Sequence, residues 1–194
     1  KNLTAEAWSA DFDQTYALHI ELAECEYLSG RLTEAEALFA LLLSHARSTV
    51  EKADVYTLVT VLTFGSGQIR ESVKIGRQAL KIFDIHLPDS PAEVQAAMGA
   101  EMVAIPQNQG GRSFEALLDA PAVADAGLQA QMRLLSSIVA PAYVAEPLLF
   151  GLLVAKIVNL SLQHGRSAMT AFAYAVYGLF LTDAGEYQGG YEFG

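Results

Sequence analysis

Along 22–42, LAECEYLSGRLTEAEALFALL, apolar residues recur at helical spacing on both sides of a glycine. Leu22, Ala23 and Tyr27 share one stripe, Gly30 supplies a stop, and Leu32, Ala35, Leu38, Phe39 and Leu42 restart the period. The pattern predicts an antiparallel helical hairpin, its second helix opened by a capping box of Thr33 and Glu36. Upstream, Asp11 with Gln14 signals a helix running to about Ser29, and Trp8 in the lead-in is expected to plug the end of the stack. Downstream, Ser48 with Glu51 opens a third helix of period Val55, Leu58, Val59, Leu62, which Gly65 and Gly67 stop. Ile69, Val73, Ile75, Ala79, Leu80 and Phe83 carry a fourth helix, expected to end at Leu87 and Pro88.

Ser90, Pro91 and Glu93 read as cap, first-turn proline and capping-box acid of a fifth helix to about Val103. The run 106–112, PQNQGGR, reads as a loop, and Ser113 starts a short helix. A helix over 125–139 places Leu128, Met132, Leu135 and Val139 inward, with Pro141 ending or kinking it. Pro147 opens a helix, 148–163, apolar on nearly all sides apart from Lys156, Asn159 and Gln163, so it belongs between neighbours. His164 and Gly165 end it, Ser167 starts the next, and Gly185 begins another turn.

Composition narrows the picture. The chain has 194 residues, 52% of them hydrophobic, which excludes disorder. Twelve basic against 22 acidic residues give a net charge of −10, which disfavours nucleic acid and suits a basic protein partner. The longest uncharged run, 167–182, is shorter than the roughly 20 residues of a spanning helix, so no membrane is expected. One cysteine, Cys25, permits no internal disulfide and suits a reducing cytoplasm; it reads as a buried structural thiol. Because the chain starts at Lys1 and stops at Gly194 inside a repeat, it is expected to be a piece of a longer protein.

Candidate chemistry is sparse. His19, His45, His86 and His164 form no metal-spaced pair and read as solvated or capping groups; neither metal nor cofactor is expected. Glu21, Glu24 and Glu26 point around a helix and form no acid–base pair. Gly110 to Ser113 lacks the lysine of a phosphate loop, and Gly65-Ser66-Gly67 follows a helix rather than a strand, so both read as turns.

Ala23, Gly30, Leu32, Ala35 and Phe39 resemble the small, turn, apolar, alanine and large apolar positions of a tetratricopeptide repeat, with departures at His19 and Glu26. Gly67 follows Gly30 at nearly the ~34-residue repeat length, with Ser72 in the alanine position and Gly76 in place of the large apolar residue. Gly178, Gly185, Tyr187 and Gly190 match a third copy. Read together, the blocks 17–46, 111–121 and 148–181 resemble the helical linker of large multidomain signalling proteins, which carry a Ser/Thr-kinase-like domain, a signal-transduction ATPase, a GAF domain and a sensor histidine kinase. The resemblance implies location rather than activity, since none of those kinases' catalytic residues fall here.

The expected fold is all-α: a right-handed superhelical stack of antiparallel helix pairs over 1–194, with N-terminal hairpins at 1–87, an irregular section at 88–144 and truncated hairpins at 145–194. The expected role is a non-catalytic scaffold or relay in a cytoplasmic signalling kinase, binding a protein, a peptide or its own flanking domains. A groove lined by first helices would carry Glu21, Glu24, Tyr56, Thr57, Thr60 and Tyr174. Two other readings stand beside it. One is a ligand- or inhibitor-sensing repeat domain of an ATPase-coupled transcription activator; the other is an all-α enzyme with a pocket near 106–113.

Overall fold

The computed structural model describes residues 5–193, and among them every regular element is helical. In order these are α1 (Ala5–Ala10), α2 (Phe12–Leu28), α3 (Leu32–His45), α4 (Thr49–Gly65), α5 (Ile69–Leu80, extended by a 3-10 turn Lys81–Phe83), α6 (Pro91–Gln109), α7 (Phe114–Leu118), α8 (Ala126–Ala145), α9 (Pro147–His164), α10 (Thr170–Asp183) and α11 (Tyr187–Phe193).

Side-chain caps set many of the starts. Asp11, Ser48, Ser90, Ser113 and Asp125 each accept the backbone N–H three residues on, satisfying a donor the first turn leaves free. The expected cap at Thr33 is corrected: α3 begins at Leu32 and Thr33 lies inside its first turn. Gly30, at φ +80°, lets the Arg31 N–H reach back to the Glu26 carbonyl, and the chain re-enters a helix at once.

Three ends also move. The fourth helix closes at Asp84, not at Leu87 and Pro88: Asp84 adopts φ +57°, donates its N–H to Lys81 and lets Ile85 bond to Leu80. The 106–112 loop is helical through Gln109, because α6 lies along α9 in the most extensive helix contact of the fold. Asn108 donates to Asn159 at 2.7 Å and Arg112 to Leu162 O at 2.7 Å, which hold that last turn despite Pro106. Likewise α8 runs four residues past the buried Pro141. Ser167 precedes α10, which starts at Thr170.

Hairpins α2/α3, α4/α5, α8/α9 and α10/α11 form, and α8 packs against both α4 and α5. The pair α6 and α7 intervenes in sequence between the second and third hairpins. The main core gathers around α8 and α9, where Leu134, Leu135, Ile138, Leu152, Leu153 and Ile157 are fully buried. A smaller core joins α2, α3 and α4 through Tyr16, Ala23, Ala35, Phe39, Leu42, Val55 and Leu62. By length and composition α9 could cross a membrane, yet it is the middle of this core.

The N-terminal end is sealed as the sequence suggests. The Trp8 ring lies 4.1 Å from that of His45 and 4.6 Å from that of His19. His19 is therefore a buried packing residue rather than a solvated one, its Nδ1 2.7 Å from Thr15 O. Cys25 is exposed, not buried: it sits two positions from the fully buried Ala23, about 200° around the helix.

Arg77 ties three segments together. Its side chain is 11% exposed and donates to Pro88 O and the Glu146 carboxylate, so it joins α5 to the 84–90 connection and the α8–α9 junction. Removing a buried, multiply bonded cation strands its acceptors. Arg77→Met is expected to lower stability by about 2–4 kcal/mol in urea unfolding, and Arg77→Lys should recover little, since a point charge cannot span these acceptors. A loss indistinguishable from that of an exposed arginine such as Arg70 would contradict this role.

Candidate functional site

A cleft of about 850 Å³ opens between the hairpins. Three helices that each open a hairpin contribute to it: Thr57 and Val61 from α4, Met132, Arg133, Ser136 and Ser137 from α8, and Thr170, Ala171 and Tyr174 from α10. Leu117 and Leu118 of α7, Ala122, Val123 and the 166–169 connector complete it.

Backbone bonds fix that connector. Arg166 donates its N–H to Pro121 O at 2.8 Å, Val123 donates back to Arg166 O at 3.0 Å, and Gln129 Nε2 donates to Val123 O at 2.6 Å. This short parallel bridge holds α7 and its loop against the start of α10. Thr170 Oγ1 accepts the Ser167 N–H and lies 2.8 Å from Ser161 Oγ, which anchors the helix start to α9.

The lining is mostly apolar, and its hydroxyls are largely occupied. Ser136 and Ser137 donate to carbonyls of their own helix, at Met132 O and Leu134 O. Thr57 Oγ1 is the exception: it is buried and has no hydrogen-bond partner. A stranded hydroxyl costs about 1–3 kcal/mol, so Thr57 has an acceptor or donor site to satisfy. Burial raises the Tyr174 phenol above its usual value against an opposing pull from Arg112, and burial together with Glu186 raises Tyr177. Both stay neutral at ordinary pH. Burial, with Glu51 and Asp54 nearby, likewise pushes Tyr16 in the smaller core to about 12.

Charge in the cleft opposes that of the chain. Arg133 and Arg166 line it and, among the described residues, no acid does. Arg133 is paired with Asp54 at 2.7 Å, whereas Arg166 donates Nε–H to Ala120 O and has no carboxylate at ion-pair distance among the described residues.

The six residues expected to line a groove divide. Thr57 and Tyr174 meet in the cleft. Thr60 is fully buried with its hydroxyl on Tyr56 O, and Tyr56 is half-buried against the main core. Glu21 is exposed and Glu24 half-buried on α2, outside the cleft. The α8 and 166–171 contributions were missed. A lone Arg133 in the long apolar run of α8 was the available signal, but inward positions alone drew the reading.

A second hollow of about 280 Å³ lies beside 106–113, where an enzyme pocket was the remaining alternative. Its polar groups satisfy one another: Lys156 pairs with Glu101 at 2.6 Å, and Asn159 donates to the Glu101 carbonyl and carboxylate while accepting from Asn108. Among the described residues no three His, Cys, Asp or Glu side chains group as metal ligands. No family pattern, curated protein or solved structure matches the chain.

Proposed function

We propose that the chain is a non-catalytic binding module, built as a right-handed superhelical stack of antiparallel helix pairs similar in plan to tetratricopeptide repeats. It holds a protein or peptide segment and relays that occupancy to flanking domains of a cytoplasmic signalling kinase or ATPase. One observation carries this reading: the cleft takes its lining from the first helices of three hairpins, α4, α8 and α10. First helices face the common groove in a stack of pairs, and a stack responds along its length because each pair contacts mainly its neighbours. The insertion of α6 and α7 makes the middle irregular. Free, exposed Cys25 fits a reducing compartment.

The test is photo-crosslinking in the full-length protein. A benzophenone side chain at Val61 or Leu118, both exposed at the cleft, is expected to give a discrete adduct with a partner or a flanking domain. The same label at Leu28, 70% exposed on α2 and outside the cleft, should give none. Equal labelling from both places removes the reading.

A specific observation also favours ligand sensing by a repeat domain. The cleft's volume lies within the roughly 300–1,000 Å³ of small-molecule sites, and its few polar groups are set among apolar ones as such sites require.

A further inference from the structure

We propose that the cleft takes an amphipathic anion, an apolar body ending in a carboxylate that meets Arg166; this rests on the ligand-sensing reading of the same cleft. Two features of the site agree. Its surface is largely apolar, with Val61, Met132 and Met169 among the lining residues. Among the described residues its charges are two arginines, in a chain whose net charge is −10. A cation reaching this site meets like charge, while an anion finds the local exception to a repelling surface.

The two arginines are not equivalent. Arg133 already gives a donor to Asp54, which offsets its charge. Arg166 spends only Nε–H, on Ala120 O, and keeps its remaining donors in a fork suited to a carboxylate. Its position is fixed by the backbone bridge to Pro121 and Val123, so the guanidinium is carried on an ordered support.

The experiment compares three probes sharing one chain, dodecanoate, dodecanol and dodecylammonium, each below its micelle threshold, by calorimetry on the intact protein. Dodecanoate should bind tightest and saturate at one per chain, with dodecanol weaker and dodecylammonium weakest. Arg166→Gln should weaken dodecanoate about tenfold and leave dodecanol within about twofold, as loss of a charge-assisted contact implies. Arg133→Gln should matter less, under about threefold, because that charge is offset. Ala171 is exposed on α10 at the cleft, so Ala171→Trp fills the space without entering the core and should abolish saturable binding of all three. Dodecylammonium binding as tightly as dodecanoate, or equal weakening of acid and alcohol by Arg166→Gln, overturns the anion inference while leaving the cleft a ligand site. Binding that is absent, unsaturable or untouched by Ala171→Trp overturns both. An unchanged thermal midpoint in each variant certifies the fold.

Discussion

Gly165→Ala is expected to cost about 3–5 kcal/mol, far more than an alanine in a connector usually does. Two costs coincide there. Gly165 holds φ +109° and ψ −174°, a region open in practice to glycine alone, and a side chain in it costs about 1–3 kcal/mol. The added Cβ would also fall 2.3 Å from Pro121 O, a backbone atom that cannot swing aside because Arg166 N–H is bonded to it. Relief therefore requires breaking the bridge that supports one end of the cleft. Gly30→Ala is a positive-φ control free of any clash, since Gly30 is at φ +80° with nothing within 4 Å of the new atom. That control should lose only about 1 kcal/mol. Urea unfolding of the two variants decides the matter: similar losses would show that the close approach to Pro121 is not felt.

The second large effect lies where α5 crosses α8. A Cβ on Gly76 would sit 2.3 Å from Ile138 Cγ1 and 2.6 Å from its Cδ1, and Ile138 is fully buried. Gly76→Ala is thus expected to destabilise by about 2 kcal/mol even though alanine is the better helix former by about 1 kcal/mol. Ile138→Ala alone should cost about 3 kcal/mol through the cavity it leaves. Combined, the new methyl enters the emptied space. The double variant should therefore be at least about 1 kcal/mol more stable than the two losses added together. Additivity within about 0.3 kcal/mol would mean that these residues do not govern the crossing.

That crossing also lies where the sequence departs from the repeat pattern. A repeat of the expected kind would place a large apolar residue where Gly76 stands; here the missing side chain admits α8 from more than fifty positions along the chain. Ser72, in the place of the repeat's alanine, donates to Thr60 O and so spends its hydroxyl inside the α4–α5 contact. Thr60 was expected at a groove for its helix position, but it is fully buried and its carbonyl accepts from Ser72 of its own hairpin.

What the chain order alone determined was local: where helices begin, through Asp11, Ser48, Ser90, Ser113 and Asp125, and that the α9 segment is buried, because capping and amphipathicity act within one or two turns. Thus the all-helical class and most helix starts could be read from it. Tertiary structure decided the rest. The last turn of α6 and the end of α8 run past prolines where long-range packing supports them, and Cys25 and His19 exchange environments according to which helix face meets a neighbour. The cleft belongs to this second group: Thr57, Arg133, Arg166 and Tyr174 are scattered over more than a hundred residues. No periodicity within a segment can bring them together, because their proximity follows from which helices pack and at what crossing, and those are set by shape and volume in the assembled core.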